Sequence, residues 1–190
     1  MGRDKGLLSY HGQPQRRWLA TLLAQSCARV FVSVRAGQAP KHSADDDIAY
    51  IEDSPAFENR GPMGALLSAN ELHPNCAWLV VSCDLPYFDG AALECLLKHR
   101  DMSAAATAFV NPEIHRPEPL VTIYEALFMR ELPGEVARGG SSMMRILHAL
   151  PNVRLIRGYD PRWIISADTP GAFDEARRML ATASGSPTGR

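Results

Sequence analysis

Apolar residues in this chain fall into short continuous runs separated by stripes of helical spacing, the rhythm of a sheet covered by helices. The clearest run, Trp78-Leu79-Val80-Val81, lacks polar/apolar alternation. It predicts a strand covered on both faces, as in a parallel α/β sheet. The run ends at Asp84, and Pro86 blocks ordinary strand pairing two residues later. Residues 29–34, 48–51, 104–110, 119–124, 153–156 and 163–165 predict the remaining strands. Between them, Trp18, Leu19, Leu22 and Leu23 share one face of a helical run over 15–25. Met63, Leu66, Leu67 and Asn70 follow Pro62 at the same spacing, with Pro62 suited to a helix start. Asp89 can cap a helix that carries Ala92, Leu93, Leu96 and Leu97. Further helices are expected over 125–132 and 143–150. Thr169 can cap the last, with Pro170 first and Phe173, Ala176, Met179 and Leu180 inward. The three prolines of 111–119 predict a loop, and 36–47 reads as a polar surface loop. The alternation argues for one α/β domain over 1–181, Rossmann-like and doubly wound, with a disordered Ser/Gly/Pro tail over 182–190.

Composition adds exclusions. At 190 residues, 46% apolar and 22% charged, the chain suits one globular domain. A net charge of −1 offers no basic field for nucleic acid or an anionic membrane. Cys27, Cys76, Cys83 and Cys95 lack metal-site spacing and read as reduced, buried thiols. None of the six histidines has a partner at ligand or triad spacing. Without a bilayer-length apolar stretch or a secretory pattern, a cytoplasmic location is expected.

Candidate chemistry gathers at three places. Ligands of open α/β sheets bind beyond the carboxyl ends of the strands, where Asp84 falls. An ionised Asp there can hold a hard divalent cation through oxygen, as phosphate chemistry requires; it can equally close an Asx-turn. Met1-Gly2-Arg3-Asp4-Lys5-Gly6-Leu7-Leu8 reads as a loop that delivers a cation. Asp53 is followed by Gly61-Pro62, and a glycine before a helix start gives an anion access to unpaired N–H groups. Ordinary turn chemistry would produce the same dipeptide.

Together these segments resemble the nucleotidyltransferases that attach a nucleotide to molybdopterin, of the molybdenum cofactor guanylyltransferase type. The match also takes in Ile51-Glu52-Asp53-Ser54, Ser82-Cys83-Asp84-Leu85-Pro86, Pro119-Leu120-Val121-Thr122-Ile123-Tyr124 and Ser166-Ala167-Asp168-Thr169-Pro170. The resemblance implies a mostly parallel sheet of the nucleotide-diphospho-sugar transferase type with helices on both faces. It implies Asp84 as the catalytic Mg²⁺ ligand and Lys5 as the catalytic phosphate-binding cation. Ser33, Asp53, Gly61 and Asp84 would contact the nucleotide beside Lys5. Ser33 falls where relatives place an Asn, and a hydroxyl cannot offer an amide's donor and acceptor together.

The resemblance also marks departures. Family members open on an apolar strand and a glycine-rich loop, of which the loop helps to select the base. Here the first strand is missing, so unpaired central edges are expected, with Met1 an internal methionine of a longer protein. Asp168 stands where relatives often carry Asn, and its added charge calls for an offset from Arg116, Arg145, Arg162 or a metal. The implied reaction is transfer of GMP from GTP to molybdopterin with release of pyrophosphate. A cytidylyltransferase using CTP, or transfer to another small phosphorylated acceptor, is the alternative. A non-catalytic partner of other molybdenum cofactor assembly proteins is a third reading, of a different class.

Overall fold

The computed structural model describes residues 4–39, 48–140 and 142–184. Helices α1 (Gln15–Leu23), α2 (Pro62–Leu72), α3 (Gly90–Lys98), α4 (Ala126–Ala137), α5 (Met143–Ala149) and α6 (Pro170–Ser184) alternate with six strands. These are β1 (Phe31–Val34), β2 (Ala49–Glu52), β3 (Trp78–Val81), β4 (Ala106–Asn111), β5 (Arg116–Tyr124) and β6 (Val153–Ile156). β1 and β2 pair in parallel. The others form a sheet in the order β3-β5-β4-β6. In it β4 and β6 are parallel, while β5 runs antiparallel to both neighbours.

Strand periodicity distributes the core. Leu79 and Val81 of β3 join Phe109, Val121 and Ile123 under α1 and α3. Trp78 and Val80 face the other way and pack with Tyr124, under α2, α4 and α5. The continuous apolar run of β3 therefore serves two cores, which is why it shows no alternation. Its residues remain only half-buried because the outer edge of β3 opens onto a cavity of about 800 Å³. Phe31, Val32, Ser33 and Val34 of β1 line the same cavity. Phe31 and Trp78, the first residues of their strands, lie 6.0 Å apart between ring centroids. Among the described residues neither facing edge pairs with a further strand.

Several expectations need correction. Residues 116–119 belong to β5 and not to a loop; the turn is confined to 112–115, where His115 adopts φ +53°. Pro117 sits at a register shift between Ala108 and Val110, and Pro119 lies beyond the last β3 partner, Val121. Those are settings in which a strand tolerates a missing N–H. Residues 163–165 are not a strand. Pro161–Ile164 is a 3-10 helix whose cap, Asp160, accepts a bond from Arg162 N. Met179 is exposed, whereas Ala176 faces the core. α6 reaches Ser184, three residues into the expected tail; 185–190 lie outside the described residues, as do 1–3 and 40–47. Cys76 is exposed, although all four cysteines are free thiols.

α4 was expected to stop at Leu132, yet it continues through Pro133 to Ala137. A proline removes the N–H that would bond the carbonyl four residues back, here that of Met129. Asn70 Nδ2, from the core-facing stripe of α2, donates to that carbonyl at 3.0 Å. The neighbouring helix thus supplies the donor that Pro133 lacks. Asn70→Ala should orphan the acceptor and cost about 1–2 kcal/mol. A thermal melt should fall by roughly 3–6 °C; an unchanged midpoint would show that solvent already satisfies Met129.

Candidate active site

Three contacts from two segments tie down the Asp84 turn. Ala167 N donates to the Asp84 carbonyl at 2.8 Å. Gln15, fully buried at the start of α1, donates from Nε2 to the Leu85 carbonyl at 3.2 Å. His11 stacks on Trp18 at 3.9 Å between centroids and donates to the Pro86 carbonyl at 3.0 Å. The Asp84 carboxylate is thereby fixed at the end of β3 by main-chain contacts that do not involve its side chain.

Lys5 meets the carboxylate itself. It lies in a 3-10 turn, Lys5–Leu7, shaped by the Asp4 carboxylate accepting from Gly6 N at 2.8 Å. Lys5 Nζ donates to Asp84 Oδ2 at 2.8 Å and also to Asp168 Oδ1. Partial burial pulls its ammonium down, but the hydrogen bonds to Asp168 and Asp84 outweigh this and leave its pKa raised. The bond from Lys5 holds the Asp168 carboxyl below its ordinary value. Lys5 and Asp84 were anticipated from sequence, whereas Asp168 was read as a charge in need of an offset from Arg116, Arg145, Arg162 or a metal. Its partner is Lys5 instead; Arg162 is engaged by Asp160 at 2.6 Å.

The other anticipated residues line the cavity between β1 and β3, together with Lys5. Ser33 and Gly61 are exposed there. Asp53 is half-buried, with Oδ1 lacking a hydrogen-bond partner among the described residues, and burial raises its carboxyl pKa. Its main chain extends β2 by donating to the Val34 carbonyl at 2.9 Å. Gly61 adopts φ +57° and ψ −141°, open to glycine but strained for other residues. That conformation turns the chain into α2 at Pro62. Asp84 stands at the margin of this space through Lys5, and the neighbouring Ser82 and Cys83 line it. Burial pushes the Cys83 thiol up to about 11, so it stays protonated and unreactive near neutrality.

Tyr10 was not anticipated. It is buried against Phe173 of α6 at 5.0 Å between centroids, and among the described residues its hydroxyl has no hydrogen-bond partner. Burial, then the Asp84 charge, raises its pKa. Only tertiary contact brings Tyr10 and Asp168 to this point; Lys5 and Asp168 are 163 positions apart.

One ammonium and two carboxylates at a strand end, beside a cavity between two sheets, can handle phosphates and a hard cation. The architecture is that of the nucleotidyltransferases with the nucleotide-diphospho-sugar transferase fold. Residues 1–153 match the MobA-like NTP transferase domain, and the chain belongs to that family. Over 130 residues it is 32% identical to a molybdenum cofactor biosynthesis bifunctional protein of Synechocystis, covering 68% of this chain but only 37% of that protein. A molybdenum cofactor guanylyltransferase of Pseudomonas paraeruginosa is 29% identical over 175 residues, 89% of this chain and 83% of the relative. The crystal structure of molybdopterin-guanine dinucleotide biosynthesis protein A from Archaeoglobus fulgidus superposes with a TM-score of 0.73 at 19% identity. That superposition covers 95% of this chain and 92% of the other.

Proposed function

We propose that this chain transfers GMP from GTP to the terminal phosphate of molybdopterin, releasing pyrophosphate, in the cytoplasm. The observation that carries the reading is Lys5 Nζ bonded to Asp84 and Asp168 at a cavity also lined by Ser33, Asp53 and Gly61. In this reaction an oxygen of the acceptor phosphate attacks the α-phosphorus of the nucleotide. The bond from that phosphorus to the bridging oxygen breaks, and pyrophosphate departs with the electron pair. Both reactants are anions, so the protein's task is to position them and offset charge.

Lys5 would neutralise the nucleotide phosphates as a mobile point charge. Ser33, Asp53 and Gly61 would contact the nucleotide along the cavity wall. The donor set fits Mg²⁺, which is commonly held by one or two carboxylates, waters and substrate phosphates. Asp84 and Asp168 would be those carboxylates. Among the described residues no three His, Cys, Asp or Glu side chains gather as a metal cluster, so water and phosphate oxygens would complete the shell. A bound Mg²⁺ would reduce the repulsion between the two phosphate groups.

Pyrophosphate release is the test, with molybdopterin, Mg²⁺ and either GTP or CTP at equal concentration. Faster turnover with GTP supports the reading. A preference for CTP would make this a cytidylyltransferase, and no release with either would favour a binding role without catalysis. Among the described residues no helix is long and apolar enough to cross a membrane.

A further inference from the structure

We propose that Lys5 acts as an internal cation that occupies the divalent-ion position until nucleotide phosphates draw it away. The inference rests on the function proposed above and goes beyond it, to the order in which the site fills. Lys5 Nζ bonds Asp84 at 2.8 Å and Asp168 at the same time, so a single ammonium sits between the two carboxylates suited to a hard cation. A divalent ion bound to both oxygens would require that volume and that charge. The two carboxylates and the ammonium together carry one negative charge; with Lys5 withdrawn they carry two.

The geometry allows the withdrawal. The backbone of Lys5 is held in its 3-10 turn by the Asp4–Gly6 bond, whereas its side chain is 39% exposed on a flexible four-carbon stem. Asp84 is 14% exposed and fixed through its main chain, so it stays in place when the ammonium swings. Lys5 also lines the cavity of Asp53 and Gly61, and a polyphosphate there carries more negative charge than two carboxylates and so competes with them for the ammonium. Nucleotide entry would therefore free Asp84 and Asp168 for the cation. Without nucleotide, the site would discriminate against divalent ions.

Mn²⁺ titration followed by electron paramagnetic resonance of the free ion, without nucleotide, tests this. The proteins are wild type, Asp84→Ala, Lys5→Met, Lys5→Arg and the double variant Lys5→Met/Asp84→Ala. Lys5→Met should bind Mn²⁺ at least about tenfold more tightly than wild type. Lys5→Arg, which keeps a cation on a long stem, should stay near wild type, and the double variant should lose the gain. A merely structural role for Lys5 would not produce that rescue by arginine. Equal, Asp84-dependent affinities in wild type and Lys5→Met would overturn the internal-cation proposal while leaving the metal site standing. Absence of Asp84-dependent binding in every protein would overturn both.

Discussion

Asp84→Ala should slow Mg²⁺-dependent pyrophosphate release by about 10³-fold or more while leaving the melting midpoint nearly unchanged. A charge-stabilising metal ligand supplies several kcal/mol to the transition state, and each 1.36 kcal/mol is about tenfold in rate. The fold should survive because the contacts that hold this turn are made by main-chain carbonyls of Asp84, Leu85 and Pro86. Replacing the carboxylate leaves Ala167 N, Gln15 and His11 with their acceptors. Lys5 also keeps Asp168 as a partner. Near wild-type turnover would remove Asp84 from the chemistry, and a collapsed melt would mean that its side chain is structural.

Lys5→Ala should weaken GTP binding about 100-fold, and Lys5→Arg by less than about tenfold, in calorimetric titrations. A charge-assisted hydrogen bond contributes roughly 1.5–3 kcal/mol, and the alanine variant has a second defect. It leaves Asp84 and Asp168 facing an anionic ligand with no cation between them. The arginine variant keeps that cation, though its planar fork replaces a point charge. Equal affinities across the three proteins would make Lys5 a surface charge only.

Much of the fold was legible because local signals and packing agree. The Asp89 cap is present, with Ala92 N donating to its carboxylate at 2.9 Å, and Thr169 Oγ1 likewise accepts from Ala172 N at 3.1 Å. The double-sided run of β3 was read correctly from its lack of alternation. Pairing was not legible, since an apolar run reveals which faces are covered but says nothing of what lies at its edges. β5 went partly unseen because its prolines imitate a loop until the bulge and the end of β3 are known. Pro133 misled in the same way, as the donor that makes it tolerable lies 63 positions earlier, at Asn70.

The site divides along the same line. Lys5 and Asp84 belong to compact motifs, and the structure brings their side chains together across 79 positions. Ser33, Asp53 and Gly61 line one cavity with Lys5, whereas Lys5 and Asp84 are joined by a direct bond. Asp168 was visible as an unusual charge, and the need for a counter-charge was sound. Of the offsets named for it, Arg162 is engaged by Asp160, and the cation bonded to Asp168 is the lysine already assigned to the phosphates. Proximity in three dimensions, which periodicity does not encode, decided it.

The most direct test follows the labelled α-phosphate of GTP. The chain is incubated with α-³²P-GTP, molybdopterin and Mg²⁺, and the acceptor is separated from the nucleotide. Label should move into the molybdopterin fraction in proportion to the pyrophosphate released, and Asp84→Ala should slow both by about 10³-fold or more. Label that remains wholly with guanosine phosphates while pyrophosphate or phosphate is released would contradict nucleotidyl transfer to molybdopterin.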